Sequence, residues 1–398
     1  MKFAKLLFSL FVFILIPLIS TSQNFSKVDS FRIFLNSECS KNHSIRLWNG
    51  EFLIIDNNNG IIFKNENTDT LSVIINYKWY TDSFKQRPAI SGVISKNDTI
   101  GLINQQANKI AYFTEKGEFI DNVRFKEKFG LFGTFVDRYS LFEYNIQLLK
   151  YPIFIPLESY ARIPLRTGPF GRKIFNYYSA RKLIGRFNHE GKLENSFGYY
   201  ENIYKNNRAL AYIDKVPYYT DYKSKQVFVG QEASPIIQVY DFDGNLITKF
   251  GKSPPEVSNW QFETVSNIPE YHFFEWTYRI ESPIYSGIYF EPENDLVFRI
   301  CRLPSKDTTM TGNEKYDAKK TTCEPFNPKK MARWKIYSAK PNVIQVYNER
   351  FELIKELSYM GYFRILGSDE KYLYIWKKYQ KETHSVLIYK YLITDFVE

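Results

Sequence analysis

Ile236-Ile237-Gln238-Val239-Tyr240-Asp241-Phe242-Asp243-Gly244-Asn245-Leu246-Ile247-Thr248-Lys249-Phe250-Gly251 is the stretch on which the reading of the whole chain turns. Apolar and polar residues alternate up to Tyr240, an Asp-Gly pair interrupts them, and alternation resumes at Leu246. That pattern specifies a β-hairpin, and Gly244 supplies the positive φ that a tight turn needs. Ile184 to Leu193 and Ile110 to Ile120 repeat the pattern, with weaker copies at 61–65, 344–354 and 386–389. Most copies are preceded by another apolar strand and a polar turn, as 226–229 and 372–376 precede theirs, and a further apolar segment stands upstream of these. Four short strands per unit, joined by turns, make the blade of a β-propeller.

The aromatics that end the third strand of each unit are Phe63, Phe113, Phe187, Tyr240, Tyr347 and Tyr389. Six units are therefore expected, and insertions with them, because residues 23–398 give an average of about 63 residues per unit, above the ~40–50 of standard propeller repeats. The widest gap, between Tyr240 and Tyr347, holds one hairpin (284–290 with 296–303) and the polar stretch 304–330. It is read as one blade with an insertion, and a seventh blade is the alternative. The last unit runs out of chain after its third strand. Phe31-Arg32-Ile33-Phe34-Leu35 is a spare strand ahead of the first unit. Its pairing with the C-terminal blade would close the ring and remove an exposed edge.

Composition agrees with an all-β chain. Phe, Tyr and Trp number 34, 31 and 6 among 398 residues, whereas Ala occurs 12 times. This favours pleated, half-buried surface over helix and disfavours a helical bundle. A hydrophobic content of 44% disfavours a disordered chain. Length alone would suggest two or three domains; the repeat instead makes residues 23–398 one domain.

Residues 1–22 read as an export signal. Lys2 and Lys5 precede an apolar run from Leu6 to Ile19, and Ser20-Thr21-Ser22 offers small residues for cleavage. The run is shorter than the ~20 residues of a spanning helix. No Cys follows it to carry a lipid, and no later stretch is apolar enough to span a bilayer, so a periplasmic or secreted protein is expected. The formal charge of +10 counts Lys and Arg set among 43 acids, without a run like a nucleic-acid arm. Export also argues against nucleic acid as the partner. Cys301 and Cys323 could close a disulfide and leave Cys39 free; three unpaired thiols is the alternative. Four scattered His and no Cys-x-x-Cys give no metal site, and nothing in the sequence asks for a cofactor.

With its aromatic-Asp-x-x-Gly turn and Lys-Phe-Gly ending, the stretch 236–251 is similar to an NHL-type propeller repeat. Over 24–398 the layout resembles the exported six-bladed propellers grouped as TolB-like, common in Gram-negative gut and environmental bacteria. Many of those are lipoproteins, and this chain departs from them in lacking the lipid-anchor Cys. The resemblance implies a fold and carries no activity with it.

Two insertions hold the candidate binding residues. Residues 260–280 interleave Trp260, Tyr271, His272, Trp276 and Arg279, types that stack on sugar rings, anchor a partner protein or grip a carboxylate. The plainer reading has them covering the end of the core. Residues 160–173 gather Arg162, Arg166, Arg172 and Lys173, which suit an acidic sugar or phosphate, or form a solvated loop. Asp241 to Asn245 lacks the glycine and carboxylate positions of a calcium loop and reads as a turn. The function expected is a non-enzymatic binding module whose partner is a glycan or a cell-envelope protein. The alternative is a lyase or hydrolase of acidic polysaccharide, with Tyr271, His272 and Arg279 as base and clamp.

Overall fold

The computed structural model describes residues 29–35, 43–48, 51–56, 61–67, 70–76, 92–96, 99–104, 109–124, 152–157, 182–188, 190–206, 216–260, 282–304, 341–360, 363–380 and 385–397. These residues are built from short antiparallel strands. β1 (Asp29–Phe34) stands first in the chain. A first sheet follows, of β2 (His43–Trp48), β3 (Glu51–Asp56), β4 (Ile61–Asn67) and β5 (Thr70–Asn76), and a second of β6 (Gly92–Lys96), β7 (Thr99–Asn104), β8 (Lys109–Thr114) and β9 (Phe119–Arg124). The third shows three described strands, β10 (Ile153–Pro156), β11 (Lys182–Phe187) and β12 (Leu193–Tyr199). The fourth holds β13 (Tyr218–Asp221), β14 (Gln226–Gln231), β15 (Ser234–Asp241) and β16 (Leu246–Phe250). The fifth holds β17 (Ile284–Glu291), β18 (Leu296–Arg302), β19 (Pro341–Tyr347) and β20 (Leu353–Met360). The last runs in the order β1, β23 (Ser385–Leu392), β22 (Tyr372–Gln380), β21 (Arg364–Ser368).

Two features of this order bear on the sequence reading. First, β1 pairs antiparallel with β23 over Asp29↔Lys390 to Phe34↔Ser385, so its strand spans 29–34 and Leu35 falls just beyond. Second, β18 pairs directly with β19, so 303–340 connects the second and third strands of one sheet.

The hairpin turns share one device. In the 236–251 copy the Asp241 N–H donates to Asn245 O (3.0 Å) and the Gly244 N–H to Asp241 O (3.1 Å). The pairs Asn188–Lys192 with Gly191–Asn188, Thr114–Glu118 with Gly117–Thr114, and Asn348–Glu352 with Phe351–Asn348 repeat both bonds. Each strand pair also shifts register at the turn, as between Val239 and Tyr240. This is a three-residue loop with a left-handed residue and a bulge, one residue longer than the tightest hairpin. Gly117, Gly191 and Gly244 take that left-handed position with φ of 81°, 76° and 87°. Phe351 takes it at 61° in the fourth copy, where its ring stacks on Phe250 at 4.6 Å.

Asp241 also orders its turn by side chain. Its carboxylate accepts from the backbone N–H groups of Asp243 and Asn245 and from the Asn245 amide. Burial pushes that carboxyl up, but the Asn245 side chain and the backbone donors outweigh it and hold it below the ordinary carboxylate range. The turn therefore contributes stability above the unfolded pKa that is lost as pH falls through the lower folded value. A Cβ at Gly244 would lie 2.8 Å from Phe197 Cδ1 at a φ that L-residues avoid. Gly244→Ala is expected to cost about 1–3 kcal/mol in urea unfolding, from backbone conformation and overpacking together.

Packing departs from the simple alternation of the sequence. Ile237, Gln238, Val239 and Tyr240 are all buried, and β3, β8 and β19 are similarly enclosed, because both faces of each sheet meet neighbours. Among the described strands, outer ones such as β9 and β16 are largely exposed. One apolar cluster joins the first and second sheets through Leu53, Ile62, Leu102 and Phe113. A second runs from Tyr112 through Phe154 and Ile184 to Val227 and Tyr240. A third runs from Phe228 and Val239 through Phe298 and Ile344 to Leu373 and Ile375. A fourth joins Ile33, Trp376 and Ile388 of the last sheet to Ile45, Ile54 and Phe63 of the first. The repeated aromatics sit in these seams: Phe63, Phe113, Phe187, Tyr240 and Tyr347 are buried, and Tyr389 is partly so.

Candidate functional site

Antiparallel order gives each sheet two unlike ends. First-to-second and third-to-fourth connections leave one end, here the turn end, and all ten between described strands span 2–5 residues. Second-to-third connections, and those from one sheet to the next, leave the other, the connector end. Segments 77–91, 157–181, 200–217, 251–283 and 303–340 all begin and end there. Bonds between sheets keep these ends together. The Glu201 N–H donates to Gln231 Oε1 (2.9 Å), and Gln345 Nε2 donates to Lys252 O (2.8 Å).

A buried polar cluster at this end lies between the fourth and fifth sheets, around Arg299. It interrupts the apolar run of β18 and is fully buried. Its Nη2 donates to Gln231 O (2.9 Å) and Ser234 O (3.1 Å) across the seam, and its Nη1 to Gly287 O (3.4 Å). The guanidinium also lies 5.4 Å from the centre of the Tyr285 ring. Its Nε is buried and without a hydrogen-bond partner among the described residues. Burial pulls its pKa down to about 10, which still leaves the group charged at neutral pH.

Around Arg299 the neighbours act as hydrogen-bonding groups. Burial pushes Tyr285 above the ordinary phenol range, and Cys301 and Tyr347 up to about 12 each, so all three hold their protons at neutral pH. Cys301 is a buried free thiol. The Tyr285 hydroxyl bonds Ser253 Oγ (3.1 Å), and its backbone N–H donates to Glu232 O (2.8 Å). The Lys252 N–H donates to the Tyr347 hydroxyl (3.2 Å), which itself donates to Gln345 Oε1 (3.2 Å). A 3-10 turn, Pro255–Val257, then buries Val257 against Tyr285, Cys301, Leu303 and Val343. Residues 251–257 thus form a fixed stem, and the chain emerges at Trp260, which is 39% exposed.

The preceding seam repeats the Gln clip. Gln238 Nε2 donates to Tyr199 O (2.9 Å) and Glu201 Oε1 (2.7 Å), while the Tyr240 hydroxyl donates to Gln238 Oε1 (2.6 Å). Gln238-Val239-Tyr240 and Gln345-Val346-Tyr347 are one device used twice, in each case holding the stem of the connection that leaves the previous sheet. Beside it, α1 (Asn202–Asn206) buries Tyr204, whose hydroxyl accepts from the Ala233 N–H (2.8 Å).

Of the sequence candidates, Trp260 and Cys301 fall in the described residues. Arg162, Arg166, Arg172, Lys173, Tyr271, His272, Trp276, Arg279 and Cys323 lie outside them. Arg299 was missed at the sequence level, although a lone Arg inside Leu296-Val297-Phe298-Arg299-Ile300-Cys301 is itself a signal. Among the described residues no group of three or more His, Cys, Asp or Glu could hold a metal, and no helix is long and apolar enough to cross a membrane.

Strand order, enclosed sheets and connector geometry define a β-propeller-like all-β fold. The chain is similar to the structure of a member of the DUF4221 family from Bacteroides vulgatus, with 13% identity over 92% of this chain and 97% of that one, at a TM-score of 0.57. It is also similar to a Bacteroides fragilis protein whose name marks it as a candidate for export, with 11% identity over 94% and 97%, at a TM-score of 0.50. No protein-family model matches the chain, and no curated protein matches it.

Proposed function

We propose that the protein is an exported, six-bladed β-propeller that binds a ligand through its connector end without converting it. The observation that carries this reading is the length asymmetry. Turns of 2–5 residues cap one end, while connections such as 251–283 and 303–340 are gathered at the other. Long connections on a rigid scaffold are where binding residues concentrate. Six sheets, the pairing of β1 with β23 and the cluster joining last sheet to first support a closed ring. The apolar run of residues 6–19 and the Bacteroides fragilis relative support export to the periplasm or beyond.

A glycan and peptide binding screen on residues 23–398, with every hit assayed for turnover, tests the proposal. The expected result is a ligand held unchanged, whose binding is lost when Trp260, Tyr271, Trp276 and Arg279 are replaced together by Ala. Turnover of a hit would overturn the reading in favour of an enzyme. Binding that survives the quadruple replacement, and survives Arg162, Arg166 and Arg172→Ala, would overturn the choice of face.

A further inference from the structure

β17 lies at one edge of the fifth sheet, bonded to β18, and touches β13 and β21, the first strands of the flanking sheets. Its free edge therefore faces the axis of the proposed ring. β13 is buried throughout and β21 over its first four residues. In β17, by contrast, Ser286, Gly287 and Ile288 are partly exposed between buried residues. A bulge marks the same place: Tyr285 pairs with Cys301 and Gly287 with Ile300, which leaves Ser286 as the extra residue. The fold does not require glycine at 287. Its φ lies outside the left-handed region, and a Cβ there would meet only Ile300, at 3.4 Å and 3.9 Å, which is ordinary contact. A glycine inside a strand costs stability, and one that packing does not demand marks the close approach of another group.

Behind this opening lies an unbalanced charge. Arg299 Nη1 donates to Gly287 O at 3.4 Å, so the buried guanidinium stands one residue behind the exposed edge. Among the described residues no carboxylate pairs with it; its partners are carbonyl oxygens and the Tyr285 ring. Its Nε has no hydrogen-bond partner there. A buried charge without a counter-charge is costly, and a low-dielectric wall carries its field to the adjoining solvent. We propose that the connector-side half of β17 is an anion subsite, where a compact oxyanion settles over Ser286 and Gly287 and is held by the charge of Arg299 behind them. The group is a carboxylate, sulfate or phosphate, free or at the acidic end of a larger ligand. The inference rests on the binding reading above and deepens it, by giving the sign and the size of the group bound. Arg299 has no exposed surface, so it acts through its field while the strand makes the contact.

The test titrates residues 23–398 with sodium acetate, sulfate and phosphate, ionic strength held constant with sodium chloride, and follows the midpoint of thermal unfolding. At least one oxyanion should raise the midpoint along a saturating curve, as a ligand of the native state does, and glucose should not. Gly287→Ala should fold, with a midpoint in chloride alone equal to or above that of the unsubstituted protein. Its oxyanion affinity should nonetheless fall by about tenfold, because the added methyl group occupies the ligand's place. An undiminished response in Gly287→Ala would overturn the site. Ser286→Asp sets a carboxylate at the opening and should melt above the neutral Ser286→Asn at pH 7; the reverse order would overturn the role of Arg299. An equal rise with glucose would overturn the ligand class. A glycan or peptide hit in the binding screen, with no saturating response to any of the three oxyanions, would overturn this inference and leave the binding function standing.

Discussion

Arg299→Ala is expected to lower the stability to urea by about 3–5 kcal/mol. The side chain has no exposed surface and bonds carbonyl groups of both the fourth and the fifth sheets, so its loss leaves acceptors from two sheets unsatisfied and a void between them. Each unpaired acceptor costs roughly 1–3 kcal/mol, less whatever water recovers. Relief of the guanidinium's own desolvation offsets part of this. Arg299→Lys should be nearly as harmful, because one ammonium cannot serve both sheets as a planar fork does. A second change ties the loss to the seam. A Cβ at Gly230 would stand 2.6 Å from Arg299 Nη1, so Gly230→Ala alone should cost about 1–3 kcal/mol through overpacking. In the Arg299→Ala background that cost should shrink by at least about 1 kcal/mol, a coupling that a double-mutant cycle reads directly. Additive effects, or a single loss below about 1 kcal/mol, would remove Arg299 from its role as the seam's tie. Arg299 stays charged at neutral pH, so it adds no pH dependence to stability there.

Removal of residues 23–35 is expected to have a larger effect still. Ile33 is fully buried and faces Val386 across the ladder, and Leu35 is buried in the same cluster. Phe31 packs on Phe52 of the first sheet at 5.4 Å, while Lys390 Nζ lies 5.8 Å above the Phe31 ring. At roughly 1.5–3 kcal/mol for each large apolar side chain, the strand contributes more than about 5 kcal/mol. Its loss also bares the edge of β23, a template for association with other chains. A protein of residues 36–398 should unfold at distinctly lower urea than 23–398 and self-associate. Ile33→Ala provides a milder form, at about 2–5 kcal/mol. A synthetic peptide of residues 27–36 should restore the truncated protein by supplying the strand. Equal midpoints for the two lengths, with no response to the peptide, would show that β1 is dispensable.

Strand order was largely legible before any coordinates because hairpin chemistry is local. The aromatic-Asp-x-x-Gly signature requires only neighbours, and Asp241 and Gly244 meet them as read. What the signature could not convey was the company each sheet keeps. Gln238 looks like the outward residue of an alternating strand, yet it is enclosed because the adjacent sheet delivers Tyr199 and Glu201 to it. Arg299 went unnoticed for the same reason, since two of its three acceptors lie 65 and 68 residues away in sequence.

The pairing of Phe34 with Ser385 also sets the order in which this protein can be made. Five of the sheets draw on consecutive strands and can fold as their own stretch of chain appears. The sixth must hold its first-made strand idle until partners on the order of 350 residues later arrive, a contact of the slowest kind. Closing so long a loop costs only a little more than closing a short one, so the delay comes from waiting and not from a steep entropic barrier. Completion of the native state is then timed by delivery of the C-terminal residues, and until then the first sheet has no partner on one of its two faces.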